Sequence, residues 1–172
     1  TADSGRIELG SVGNNSLVSL SSIDKAWALG YEGVENFQNI QIIGQNIDRG
    51  TIVNVRGEDG GGSIKVQGNS IELIGESVRL NTSTTTVAGA GDLTINARKL
   101  IVRDGAQIIS STDGSGAGGN LIINASESVE IIGGFDTTSD RNFPSGLFSL
   151  AGGSRTAGNI IINTLAFLIK DG

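Results

Sequence analysis

A glycine-anchored repeat is the feature that most constrains the fold of this chain. Four segments share the pattern G-x-[LI]-x-[IV], and they begin at Gly62, Gly91, Gly119 and Gly158, at intervals of 29, 28 and 39 residues. A second alternating apolar run follows each of them after seven or eight residues. Repeats of this length, built from short strands of period 2, are typical of solenoids, in which each repeat buries its apolar face only by stacking on its neighbours.

The repeat predicts an all-β fold, a right-handed parallel β-helix (solenoid) of about six coils with loop excursions. Equivalent strands of successive coils would pair in parallel about 4.8 Å apart, with the right-handed crossover that parallel strands favour. A less regular third run gives each coil roughly three strands. The predicted inward rows are Ile64, Leu93, Leu121 and Ile160; Val66, Ile95, Ile123 and Ile162; and Leu73, Val102, Ile131 and Ile169.

The whole chain, residues 1–172, is predicted to form one β-helical fragment of a larger protein. Residues 1–57 are the irregular N-terminal coils, and residues 58–172 carry the regular repeats. An excursion at residues 133–148 explains the long interval of 39 residues, and excursions often carry binding residues. Phe135 and Phe143 are therefore candidate glycan contacts, although they could equally pack the excursion onto the outer face.

Three aromatic residues lie close together in the N-terminal coils. Leu17 and Leu20 are predicted to be strand residues, and residues 21–38 a loop that carries Trp27, Tyr31 and Phe37. Such rings can stack on sugars, so Trp27 and Tyr31 are candidate glycan contacts. The alternative, which we expect, is that the loop folds over the first coils and buries its rings.

Asn96, Asn124 and Asn163 each follow the second inward position of a first strand. Stacked Asn side chains can hydrogen-bond from coil to coil, and Asn tolerates the left-handed backbone of a tight bend. The three residues therefore predict a structural ladder. The functional alternative is a row of amides that binds a ligand.

Composition removes several classes of function. The chain has no cysteine and no histidine, so disulfides, thiolate metal sites, Ser-His-Asp triads and His-ligated zinc are excluded. Its formal net charge is −6, and its 12 Lys and Arg residues form no basic run. Nucleic-acid binding needs a basic patch, so no nucleic-acid partner is expected. No metal or cofactor is predicted.

Catalytic candidates are few. Parallel β-helices include polysaccharide lyases and hydrolases, and a glycosidase needs two carboxylates that face each other across a cleft. Glu72 and Glu130 are predicted to share an outward row, but Ile101 lies between them, and no row combines carboxylates with Arg or Lys. The chain is therefore predicted not to be an enzyme, with a polysaccharide-active domain or a pure repeat spacer as the alternatives.

Several segments resemble one family. They are NSLVSL (15–20), WALGYEGVENFQNIQ (27–41), GEDGGGSIKVQG (57–68), GDLTINARKLIVRDGAQI (91–108) and NASESVEIIG (124–133). Together they resemble filamentous-haemagglutinin-type exoproteins of the two-partner secretion system, above all the large cyanobacterial members. The likeness covers essentially the whole chain and is most specific at residues 27–41.

The resemblance implies a β-helical passenger that is exported through a dedicated outer-membrane β-barrel transporter. It implies a secreted or cell-surface location and an adhesive role toward a host or matrix glycan or protein. The N-P-N-type motifs of the family's secretion domain are absent, so this segment is expected to lie downstream of that domain.

The last strand predicts a self-association. Asp171 and Gly172 align with Asp104 and Gly105, which precede a third strand. We therefore expect the chain to stop within a coil and to leave the edge of its last strand open. An unpaired edge is a template for another chain, so end-to-end association of the fragment is predicted.

Overall fold

The computed structural model describes residues 2–23, 26–44, 52–57, 61–133, 144–152 and 155–171, and in these ranges it contains strands and turns but no helix. In chain order the strands are β1 (Ala2–Asp3), β2 (Arg6–Gly10), β3 (Ser19–Ile23), β4 (Ala26–Gly30), β5 (Ile40–Ile43), β6 (Ile52–Gly57), β7 (Ser63–Gln67), β8 (Ser70–Ile74), β9 (Arg79–Thr84), β10 (Leu93–Arg103), β11 (Gln107–Thr112), β12 (Leu121–Ile132), β13 (Gly146–Ala151) and β14 (Ile160–Lys170). The prediction of an all-β chain is confirmed.

Two parallel sheets hold most of these strands. One has the order β1-β6-β9-β11-β13, and the other places β2, β7, β10, β12 and β14 side by side, with β5 and β8 alongside. The long strand β10 pairs through its first segment with β7 and through its second segment with β8. Between the strands of the described ranges, every pairing is parallel except that of β3 with β4. Each strand of the two parallel sheets thus lies beside its equivalent in the neighbouring repeat.

The core consists of the inward rows that the repeat predicts. The register joins Ile64, Leu93, Leu121 and Ile160; Val66, Ile95, Ile123 and Ile162; and Leu73, Val102, Ile131 and Ile169. The side chains on β7, β8, β10 and β12 are buried, whereas those on β14 are half-buried or exposed. Burying one Val, Leu or Ile fully contributes about 1.5–3 kcal/mol. Stacking between repeats is therefore the main source of stability.

The anchor glycines lie where the backbones of adjacent repeats touch. A Cβ atom at Gly119 would overlap the carbonyl oxygen of Gly91, and one at Gly158 would overlap that of Gly119. Neither glycine has a positive φ angle, so the requirement is space and not backbone conformation. The repeat begins with glycine because only glycine allows this approach.

Hydroxyl groups replace apolar side chains at inward positions of the third strand. The Ser110 hydroxyl donates to the Gly119 carbonyl at 2.6 Å, and Ser149 donates to Gly158 at the same distance. Thr112 likewise donates to the Gly116 carbonyl at 3.1 Å. These bonds satisfy buried or half-buried carbonyls of the glycine-rich connection to the next repeat, which would otherwise cost free energy.

Residues 21–23 and 26–30 form strands where the sequence predicts a loop. β3 and β4 form an antiparallel hairpin, in which Leu20 lies opposite Leu29 and Ser22 opposite Trp27. The Leu29 backbone N–H donates to the carboxylate of Glu8 on β2, which ties the hairpin to the stack. Leu20 is thus a strand residue as predicted, but its strand pairs within the hairpin and not with another repeat.

The excursion predicted at 133–148 ends earlier than expected. Gly146 to Phe148 belong to β13 and pair with Gln107 to Ile109. Residues 134–143, including Phe135 and Phe143, lie outside the described residues. Ser145 joins the two ends of the excursion, because its hydroxyl donates to the Gly133 carbonyl at 2.9 Å and accepts from the Gly105 N–H at 2.9 Å.

Candidate functional site

Trp27 lies on the outer face of the hairpin. Its side chain is 62% exposed, while the next residue, Ala28, is buried. Side chains alternate between the two faces of a strand, so Ala28 faces the stack and Trp27 faces solvent. The expectation that this ring is buried is therefore wrong. Leu20, on the same face, is 61% exposed.

Tyr31 and Phe37 pack together against the stack. Their ring centroids are 5.6 Å apart with an interplanar angle of 58°, and Lys65 Nζ lies 5.7 Å from the Tyr31 ring centroid. A Cβ at Gly10 would overlap the Tyr31 hydroxyl. Burial, and to a lesser degree the Glu8 carboxylate, raise the pKa of this hydroxyl. Both rings are half-buried, in keeping with the packing expected for them.

The three asparagines of the predicted ladder lie in register. Asn124 Nδ2 donates to Asn96 Oδ1 at 2.9 Å, and Asn163 Nδ2 donates to Asn124 Oδ1 at 2.8 Å. Gln67 occupies the equivalent position on β7. Each residue ends the first segment of its strand, so the amides form a row along the stacking direction.

This amide row lines an open groove of about 670 Å³, which we call the amide groove. Its lining comprises Glu35, Asn36, Phe37, Gln67, Gly68, Asn69, Asn96, Ala97, Arg98, Asn124, Ala125, Ser126 and Asn163. In β10 and β12 the groove lies at the irregularity in strand register that separates the first segment from the second. The groove therefore crosses several repeats at one corner of the stack, with the segment that carries Phe37 beside it.

Arg98 is the cation of the amide groove. Its Nε donates to Asn69 Oδ1 at 3.1 Å, and its guanidinium forms an ion pair with Glu127. Arg98, Asn69 and Ser126 were not predicted as site residues from the sequence. The signal was available, because Arg98 and Ser126 both lie two residues beyond a ladder asparagine.

A second amide ladder lies at the start of the first segments. Asn120 Nδ2 donates to Asp92 Oδ1 at 3.2 Å, and the Asn159 backbone N–H donates to Asn120 Oδ1 at 3.1 Å. Each of these residues follows an anchor glycine directly, a signal that the sequence analysis did not use. None of them is among the residues that line the amide groove.

Two ion pairs cross between outward rows. Glu72 Oε1 lies 2.7 Å from Arg103 Nε, and Glu130 Oε1 lies 2.6 Å from Lys99 Nζ. The hydrogen bond from Arg103 holds the pKa of Glu72 below its ordinary value, and that from Lys99 does the same for Glu130. These pairs were not predicted because the partners lie on neighbouring rows.

The prediction that no row combines carboxylates with Arg or Lys is wrong. The register places Glu8 beside Lys65 and Asp3 beside Arg56.

Within the described ranges no group of three or more His, Cys, Asp or Glu residues is arranged to hold a metal ion. No helix in that part of the chain is long and apolar enough to cross a membrane. Comparison with known proteins gives no match to a family model, to a curated protein or to a solved structure. The site is therefore interpreted from its own geometry.

Proposed function

We propose that this chain is a structural and adhesive module of a large secreted or surface-displayed exoprotein. The observation that carries the proposal is the in-register stacking of equivalent strands from repeat to repeat. Such a stack is a rigid, elongated scaffold whose outer rows repeat at the spacing of its strands, about 4.8 Å. Repeated rows suit the binding of repetitive, extended ligands.

The scaffold in this proposal is a right-handed parallel β-helix. β10 runs directly from its first to its second segment, β11 follows as the third strand, and β12 then returns beside β10. A parallel return of this kind is right-handed in nearly all proteins. Five occupied first-segment positions, together with the partial coil that contributes β1, correspond to about six coils.

The adhesive part of the proposal is supported by two outer features. One is the amide groove, and the other is the hairpin face on which Leu20 and Trp27 are exposed. An exposed indole offers a large apolar face on which a sugar ring or an apolar side chain can pack. The resemblance to two-partner secretion exoproteins points the same way, and it supplies the expected transporter partner and the extracellular location.

The two outward carboxylates favour a module without catalysis. A general acid for glycoside cleavage needs a raised pKa, whereas the pKa values of Glu72 and Glu130 are lowered by basic partners. Both groups are thus held as charged members of ion pairs. A polysaccharide-active enzyme is the weaker candidate.

An adhesion assay tests the proposed function. The purified chain, immobilised at one end, should retain glycan-coated or matrix-coated beads, and Trp27→Ala should reduce retention without lowering thermal stability. Ser21→Ala, a change on the opposite face of the same hairpin, is the matched control. Retention on no surface would leave the spacer interpretation, and depolymerisation of an acidic polysaccharide by the chain would favour the enzyme.

A further inference from the structure

We propose that the amide groove binds a neutral, extended glycan chain that lies along the stacking direction. The inference rests on the adhesive role proposed above and assigns it a ligand class and a site. The residues concerned are the amide row, Ser126, Arg98 and Phe37, all of which line the groove.

The amide row has hydrogen-bonding capacity beyond its own ladder. The ladder uses one N–H and one oxygen lone pair of Asn124, through its bonds to Asn96 and Asn163. A carboxamide has two N–H donors and two lone pairs, so Asn124 keeps one donor and one acceptor. Its side chain is half-buried at the floor of an open groove. A sugar hydroxyl, which both donates and accepts, is complementary to such a group.

The spacing of the row favours a glycan over a peptide. Gln67, Asn96, Asn124 and Asn163 recur once per repeat, about 4.8 Å apart. An extended peptide presents groups to one side only at every second residue, about 6.8 Å apart, and falls out of step with the row. A pyranose chain carries hydroxyl groups on both edges of every ring, so successive rings can offer hydroxyls to successive amides although their orientation alternates.

The charge of the groove favours a neutral chain. Arg98 is already engaged by Glu127 and Asn69, and the acidic residue Glu35 is among the lining residues. The whole chain carries a net charge of −6, which repels polyanions. An uronic-acid polymer would therefore meet repulsion without a free cation row to offset it.

Phe37 adds an apolar surface to the groove. Its ring is half-buried and is held by Tyr31, which in turn packs against Gly10 and under Lys65. A ring fixed in this way loses little conformational entropy on binding. The apolar C–H face of a pyranose can pack on it while the hydroxyls of the next rings reach the amides.

The test titrates the full chain with cellohexaose, xylohexaose and mannohexaose, followed by amide chemical shifts in ¹⁵N-labelled protein. At least one hexaose should give saturable shifts at the groove residues. Asn124→Ala should raise its Kd roughly five- to tenfold, the loss expected for one or two neutral hydrogen bonds. Asn120→Ala breaks the second amide ladder, outside the groove, and should leave the Kd unchanged.

Ser126→Arg provides an independent test that leaves the ladder intact. Ser126 is exposed and lines the groove, so a long side chain there should obstruct the ligand and abolish binding. Equal effects of Asn124→Ala and Asn120→Ala on the Kd, or full binding by Ser126→Arg, would overturn the assignment. Tighter binding of a polygalacturonate oligomer, or of an extended Ser/Thr-rich peptide, would overturn the ligand class.

The adhesion assay separates this inference from the proposed function. If no hexaose binds while coated beads are still retained in a Trp27-dependent manner, the groove assignment is wrong and the adhesive role stands. If neither hexaoses nor beads bind, both proposals are wrong.

Discussion

Single atoms decide how closely the repeats of this chain can stack. At Gly119 even a methyl group would meet the backbone carbonyl of Gly91, which cannot move away as the end of a flexible side chain could. At Gly89 the nearest atom to such a methyl group would be the Ala117 carbonyl oxygen, 3.4 Å away, an ordinary contact. The two glycines are only 30 residues apart, but their tolerance of a side chain differs.

Gly119→Ala should lower the free energy of unfolding by about 1–3 kcal/mol, the usual cost of overpacking. Gly89→Ala should be neutral or slightly stabilising, because alanine restricts the unfolded chain. Urea denaturation of both variants measures the difference. Equal stability of the two variants would show that the anchor glycine is not required for close stacking.

Glu72 gives the fold a pH-dependent contribution. Its pKa is lowered in the folded state, first by the hydrogen bond from Arg103. The pair therefore stabilises the fold above the ordinary pKa of Glu, about 4.3, and this contribution is lost as the pH falls through the lower folded-state pKa. Because the pair is partly exposed, its contribution is at most about 1 kcal/mol.

Glu72→Gln should therefore destabilise the protein at pH 7, and the difference from the parent should shrink as the pH falls below about 4. Chemical denaturation at both pH values provides the measurement. Glu127→Gln is the control, because its pair with Arg98 is more than half exposed and should contribute little at either pH. A pH-independent loss for Glu72→Gln would mean that packing, not charge, holds this side chain.

At the scale of elements, the strands differ in how far their sequence predicts them. First and second segments such as Leu93 to Ile95 and Ile71 to Leu73 alternate between apolar and polar residues, so their inward rows and register follow from the sequence. The third strand does not, because inward positions such as Ser110 and Thr112 bond to carbonyls of the next connection. Apolar alternation therefore does not predict inward positions at which a polar side chain forms a hydrogen bond to a buried backbone group.

The hairpin of β3 and β4 also escaped prediction, for the opposite reason. Leu20 and Trp27 are apolar but face solvent, so hydrophobicity predicts the wrong face of the hairpin as the buried one.

The chain has a single tryptophan, and its fluorescence reports on the hairpin alone. Native emission should be red-shifted and quenched by acrylamide almost as strongly as in urea. Strong protection from acrylamide would show that the hairpin packs its outer face against another surface.

The excursion between β12 and β13 should be removable. Ser145, next to the start of β13, donates to the Gly133 carbonyl at 2.9 Å and accepts from the Gly105 N–H at 2.9 Å, so the two ends of the excursion already lie close together and a shorter connection needs no rearrangement of the stack. Deletion of residues 135–143 should leave the chain folded, with a change in unfolding free energy within about 1 kcal/mol. Adding Ser145→Ala to the deletion should destabilise it further, and loss of folding on the deletion alone would make the excursion structural.

At the scale of the whole molecule, the sequence predicts the ladder better than the groove it lines. Asn96, Asn124 and Asn163 share one offset within the repeat, so their alignment follows from the period. Phe37 reaches the same groove from a segment outside the regular repeat, through an antiparallel bridge to Val12. The repeat pattern predicts the residues that recur in each repeat, whereas the position of Phe37 beside them depends on tertiary packing.

The end of the stack at β14 exposes its inner row. On β14 the inner-row residues Phe167 and Ile169 are 48% and 61% exposed, whereas their equivalents one repeat earlier, Val129 and Ile131, are buried. Among the described strands, β14 pairs only with β12. An unpaired edge beside exposed apolar side chains favours addition of a further parallel strand.

A second copy of the chain can supply that strand, because β2 and β5 at the other end each have a single partner in the described sheets, β7 and β8. We therefore expect concentration-dependent, head-to-tail association in sedimentation velocity. Ile169→Lys should suppress it by placing a charge in the inner row, whereas Leu168→Lys, on the outward row and 41% exposed, should not. A polar cap fused after β14 should also abolish it. Association that survives both the cap and Ile169→Lys would place the contact on the sides of the stack, where the amide groove and the hairpin lie.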